Sequence, residues 1–271
     1  MNETFSIKRF GAYFKFDIAR MWHKHGKALI MFSLIGVMLY FVTAFFSLLF
    51  GKGWSAPSFE ARTAVFFIVC LIVELYMTRL YGYITKKHEG SDWILLPASK
   101  GEKYVSMLIQ ALIIVPVGVF GAYLFADWLL CCIDHGCGQS LITGYSDYVK
   151  VNIGGEDLIE MAKIGLSPVG LVLLTLLGNI VNYLFFLLCG ICFKKNKIVF
   201  AFLILFALSV VTSTLMAIAV PFLNYEGMVD MDETSALAMV KGIFKVVYIF
   251  IGILAVGLGW GVWRRISTIK H

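Results

Sequence analysis

The sequence predicts an all-α polytopic membrane protein, with six transmembrane helices, an N-terminal interfacial amphipathic helix and both termini in the cytoplasm. Three observations carry this. Hydrophobic residues make up 60% of the chain and charged residues 15%, against about 25% charged in an ordinary soluble domain. Six apolar runs approach or exceed the roughly 20 residues that a helix needs to cross the hydrocarbon core: Ala28 to Phe50, Ala64 to Ile84, Val105 to Leu130, Pro168 to Phe193, Ile198 to Phe222, and Val246 to Val262. Finally, lysine and arginine fall unevenly between these runs. Sixteen lie in the N-terminal arm, the second and fourth loops and the C-terminal tail, and six lie on the opposite side. The positive-inside rule therefore places both ends in the cytoplasm. The net charge of +6 is a topology signal, and no nucleic-acid partner is expected. Strand-like alternation is absent, so the spans are expected to be helices rather than barrel strands. Residues 1–271 form a single transmembrane domain. The 27 mixed residues ahead of the first run, and the length of that run, argue against a cleaved signal peptide.

Residues 1–27 form the amphipathic arm. Ile7, Phe10, Phe14, Ile18, Met21 and Trp22 recur at helical spacing, with Lys8, Lys15 and Arg20 between them. This is the pattern of a helix lying among lipid headgroups. The first span carries no charge. The second carries Glu74 near mid-membrane, where an acid costs at least about 2.5 kcal/mol on insertion scales, so it should face the bundle interior. Its readings are a coupling carboxylate or a hydrogen-bonded packing residue. Arg79 lies near the cytoplasmic end and can snorkel.

The loop 86–104 holds the most specific local signal. Ser99 and Glu102 have capping-box spacing, so a helix should begin at Ser99. Pro97 biases Leu96 away from helix, and Trp93, Ile94, Leu95 and Leu96 form an apolar group suited to a lipid or protein surface. The third span contains Pro116, expected to kink it. The outer loop 131–166 carries Asp134, Asp147, Glu156, Asp157 and Glu160, with a short helix expected over 156–164. Cys131, Cys132, His135 and Cys137 match no zinc spacing; a disulfide among the three cysteines is the better reading if that side is an oxidising periplasm. Cys189 and Cys192 are read as membrane packing. Thr175, Asn179 and Asn182 share one face of the fourth span, either bonding to other helices or lining a translocation path. The outer loop 223–242 is acidic, and helix is expected to resume near Ser235. Gly257 and Gly261 form a GxxxG face, and Trp260, Trp263, Arg264 and Arg265 mark the inner boundary.

Leu96-Pro97-Ala98-Ser99 followed by Glu102-Lys103, after the second of six spans, resembles the first cytoplasmic loop of the ABC-type-2 exporter permeases. The resemblance implies a coupling element touching a separate ATP-binding subunit, built here from Trp93, Leu95, Leu96, Pro97, Ser99, Glu102 and Lys103. It also implies an interfacial helix before the first span, pairing with a second permease copy or relative, and residence in a bacterial inner membrane among its lipids. No Walker A run occurs, so any ATP-driven work is assigned to the partner; no cofactor is expected. H-E-x-x-H and G-x-S-x-G runs are also missing, which weakens a hydrolase reading. The alternative function is a non-transporting membrane scaffold, or an intramembrane enzyme using Glu74, Asn179 and Asn182.

Overall fold

The computed structural model describes residues 5–51, 53–85, 93, 95–144, 168–219 and 233–268. Eight α-helices are found among them: α1 Ile7–Ser33, α2 Ile35–Leu49, α3 Phe59–Leu80, α4 Lys100–Ile109, α5 Val115–Ile133, α6 Pro168–Cys192, α7 Lys197–Ala219 and α8 Glu233–Thr268. Single 3₁₀ turns follow α3, at Gly82–Thr85, and α5, at His135–Cys137. Five helical stretches are long and apolar enough to cross a membrane: Ile7–Leu49, Phe59–Thr85, Lys100–Ile133, Leu173–Cys192 and Lys245–Thr268. In the remaining apolar helix, α7, the unbroken run of described side chains is Lys197–Val211. The expected surface helix at 156–164, residues 86–92 and 94 of the loop 86–104, and residues 223–232 of the loop 223–242 lie outside the described residues.

The core gathers around α3. Val69, Val73 and Met77 recur every four residues along it and are wholly buried, which places them on one helix face. The same buried cluster takes in Met107, Ala111 and Val115 from the α4–α5 stretch and Leu187 and Ile191 from α6. Lipid-facing surfaces read very differently. Along α8, Val246, Ile249, Ile253 and Val256 are each more than 60% exposed, the signature of a helix whose apolar side meets something other than its own chain. As expected, helix precedes the sixth apolar run, beginning at Glu233.

Three local outcomes refine the sequence reading. The arm does not end at residue 27: α1 runs unbroken to Ser33, and Leu34, at φ −90° and ψ −3°, separates it from α2. Its buried stripe is Tyr13, Asp17, Met21 and Leu29, whereas Ile7 and Trp22 are 82% and 57% exposed. The reason is packing, because α1 lies against α3, α4 and α5, and that contact selects a face the aromatic spacing does not reveal. Pro116 is accommodated by a π turn over Gln110–Ile114. Proline lacks a donor and its ring crowds the carbonyl four residues back, so one widened turn relieves both. In the GxxxG pair, Gly261 packs on Leu188 while nothing lies within 4 Å of a Cβ at Gly257.

Helices α3 and α6 cross closely at Gly190. A Cβ built on Gly190 would lie 2.4 Å from the Thr78 backbone oxygen, and backbone cannot step aside as a flexible side chain can. Gly190→Ala is therefore expected to cost about 1–3 kcal/mol by overpacking, read as an earlier thermal unfolding midpoint in detergent. Gly178→Ala, where nothing lies within 4 Å, should leave the midpoint unchanged or raised.

Candidate functional site

The predicted capping box is present at the start of α4. The Glu102 backbone N–H donates to Ser99 Oγ at 3.2 Å, and the Ser99 N–H donates to Glu102 Oε2 at 2.9 Å. The structure adds what local spacing cannot show. Arg9 of α1 donates to the same carboxylate through Nε, 2.8 Å from Oε2, and Nη2, 2.7 Å from Oε1, and the Ser6 N–H donates to Oε1 at 2.9 Å. Glu102, wholly buried, thus ties the start of the N-terminal helix to the start of α4. A forked guanidinium on a carboxylate is among the stronger hydrogen-bonded pairs. Arg9 and the Ser6 and Ser99 backbone N–H groups all donate to the Glu102 carboxylate, which is thus the common acceptor at the centre of the clamp.

The neighbouring residues divide into a base and an apex. Lys103, itself buried, donates from Nζ to the Trp93 carbonyl at 2.7 Å and sits 4.9 Å from the centroid of its ring. Trp93 is 4% exposed. This corrects the expectation that Trp93 lies on an outer surface ready for a partner: it packs into the chain's own core, because the Lys103 ammonium and the α1 face fold over it. Leu95, by contrast, is 80% exposed, Pro97 is exposed and Leu96 is half-buried. Among the described residues of the loop, the outward-facing part is accordingly Leu95 to Pro97, on a base made by Trp93, Ser99, Glu102 and Lys103.

Behind this base lies a buried polar cluster that sequence reading missed. Asp17 Oδ2 accepts from Tyr81 at 2.9 Å, Ser106 Oγ at 2.7 Å and Gln110 Nε2 at 2.9 Å. The cluster joins α1, the end of α3 and the π turn. A cavity of about 10 Å³ adjoins Asp17 and Gln110, room for about one water, and Gln110 Oε1 is buried without a partner among the described residues. The available signal was the i, i+4, i+8 series Tyr13, Asp17, Met21, which marks a protein-facing stripe with an acid in it.

Glu74 and Asn182 come together as the sequence reading grouped them: Asn182 Nδ2 donates to Glu74 Oε1 at 3.2 Å. Glu74 is buried and Asn179 half-buried, whereas Thr175 and Asn182 are exposed. A bond from this stripe to α3 is made by Asn182, reaching from the exposed side to the buried Glu74. Close by, Lys197 at the start of α7 donates to the carbonyls of Gly82 and Gly190 and to Thr85 Oγ1 at 2.5, 2.6 and 2.9 Å. It fastens the C-terminal ends of α3 and α6 by satisfying carbonyls those ends leave over.

At the opposite end, Arg62 and Asp127 form a buried ion pair at 2.9 Å. Arg62 Nη2 also donates to the carbonyls of Cys137 and Gln139, at 3.1 and 2.8 Å, and Asp127 Oδ2 accepts from the Leu141 N–H at 2.7 Å. Arg62 had counted only as one outer cation, and Asp127 had drawn no notice. Cys131 and Cys137 are disulfide-bonded, within the cysteine trio that the sequence singled out; Cys132 is free. Tyr40 and Trp54 both donate to Asp134 Oδ2, the Trp54 bond at 3.0 Å.

Taken as architecture, an all-helical bundle with several long apolar helices, polar groups gathered at its two ends and an apolar outer surface belongs to the class of multi-pass helical membrane proteins. No family model, curated protein or solved structure matches this chain.

Proposed function

We propose that the chain is the membrane-spanning permease subunit of an ATP-driven ABC exporter, with six spans and both termini on the cytoplasmic side of a bacterial inner membrane. It works with a separate ATP-binding subunit and a second permease copy or relative, and is not itself an enzyme. The observation that carries the reading is the exposed apex Leu95 to Pro97 on a rigidly anchored base. A push on that apex would pass through Ser99 and Glu102 into α4, and through Arg9 into α1. Two helices would thus receive one displacement, as a coupling element requires. The part-buried Glu74–Asn182 contact between α3 and α6 supplies a polar point between these helices at which a transmitted motion would open or close a path.

The test is retention of an ATPase subunit on the chain purified from its native membrane. Leu95→Ala removes apolar surface that is already solvent-exposed, so folding should be unaffected while partner retention falls severalfold. Tyr145→Ala, in the opposite loop, should retain the wild-type amount. Equal retention by both variants, or a wild-type chain that brings down no ATPase, would move the non-transporting scaffold reading ahead.

A further inference from the structure

Beside the Asp17 cluster, between α1, the end of α3 and the start of α7, lies a cavity of about 390 Å³ lined by Lys24, His25, Thr78, Arg79, Gly82, Tyr83 and Lys197. Its wall contains three formal cations and no acid. The adjacent carboxylate, Asp17, already accepts from Tyr81, Ser106 and Gln110. Lys197 is committed to Gly82, Thr85 and Gly190, so it contributes positive charge more than free donors. Lys24 and Arg79 differ: neither has a carboxylate partner among the described residues, and both are exposed. Tyr83 fixes the arrangement, with Arg20 and Lys24 at 4.6 and 4.8 Å from its ring centroid. His25 holds Tyr76 through Nδ1 at 2.7 Å, which leaves Nε2 for a ligand.

Like charges brought together around a concave wall repel unless an anion joins them, and field lines concentrate in such a cleft. The volume suits a small charged group with some attached framework. Immediately beyond Lys197, Val199 and Leu203 of α7 are 62% and 59% exposed, so an apolar helix surface continues from the cationic end of the cavity. We infer that this cavity binds the phosphate group of an anionic ligand, with Lys24 and Arg79 as its charge partners, Tyr83 as the platform for Lys24, and Lys197 as a fixed background charge. The phosphate can belong to a membrane phospholipid headgroup or to a soluble phosphate ester. This reading does not depend on an ATP-binding partner.

The experiment uses the purified full chain in detergent, titrated with phosphatidylglycerol, phosphatidylcholine or glycerol phosphate and followed by native mass spectrometry. Phosphatidylglycerol should bind saturably at one molecule per chain and outcompete phosphatidylcholine. The double variant Lys24→Gln/Arg79→Gln should bind it about thirtyfold more weakly, the factor expected for two lost near-surface cations. Lys194→Gln/Lys195→Gln removes the same charge from exposed positions outside the cavity and should stay close to wild type. Displacement of the lipid by glycerol phosphate assigns the site to a soluble ester, and resistance to displacement assigns it to the lipid. Equal binding of phosphatidylcholine and phosphatidylglycerol by the wild-type chain would overturn the proposal, whatever the variants do. So would equal weakening by the control pair.

Discussion

Asp127→Ala is expected to destabilise the protein by about 3–5 kcal/mol, because it leaves Arg62 charged and buried without its counter-ion. Arg62 is 4% exposed and Asp127 8%, so water cannot replace the lost partner without opening the bundle. The variant also removes the acceptor for the Leu141 N–H, freeing the segment after the Cys131–Cys137 bridge. A buried pair need not stabilise relative to apolar residues of similar size, since desolvating two charges offsets their attraction. The double variant Arg62→Met/Asp127→Leu should therefore recover most of the loss. Thermal unfolding in detergent would compare the two. If Asp127→Ala unfolds at the wild-type midpoint, the pair contributes nothing and the outer end is held by the helices alone.

Asp17→Leu should be nearly as damaging. It strands the hydroxyls of Tyr81 and Ser106 and the Gln110 amide, three buried donors that share one oxygen. Each unsatisfied group costs about 1–3 kcal/mol, and because the three form one network the total should fall short of their sum. We expect a loss of about 3 kcal/mol and a looser junction of α1 with α4, visible as faster proteolysis near the N-terminus. Asp17→Asn retains a carbonyl oxygen and should cost far less. The contrast separates an acceptor role from a charge role: should Asn prove as harmful as Leu, the negative charge itself is what the cluster requires. A Leu variant as stable as wild type would mean that the donors find other partners.

Four cases explain how much could be read in advance. The Ser99–Glu102 cap rests on residues three apart, whose geometry follows from the helix itself, and it is present as expected. That Glu74 and the Asn179–Asn182 stripe turn toward other helices followed from the cost of leaving an acid or amide unpartnered in hydrocarbon, whereas the bond between Glu74 and Asn182 came only with the fold. Trp93 was misplaced because an apolar residue in a charged loop can face a partner, lipid or its own core, and only the fold of Lys103 over the ring decides among them. Asp17 escaped notice because a single acid in a basic, aromatic arm looks solvated until the facing helices are known.

By itself the sequence determined the helical membrane class, the apolar runs and the start of α4. These depend on hydrophobicity summed over about 20 residues and on bonds within a single helical turn, quantities that need no knowledge of neighbours. Tertiary structure alone decided which face of α1 is buried, that Arg9 closes on Glu102, that Arg62 finds Asp127, and that Lys24 and Arg79 converge on one cavity. Each of these joins residues from separate helices, and the packing of α1 and α3 against the α4–α5 stretch, not the spacing along any one of them, brings those groups within reach.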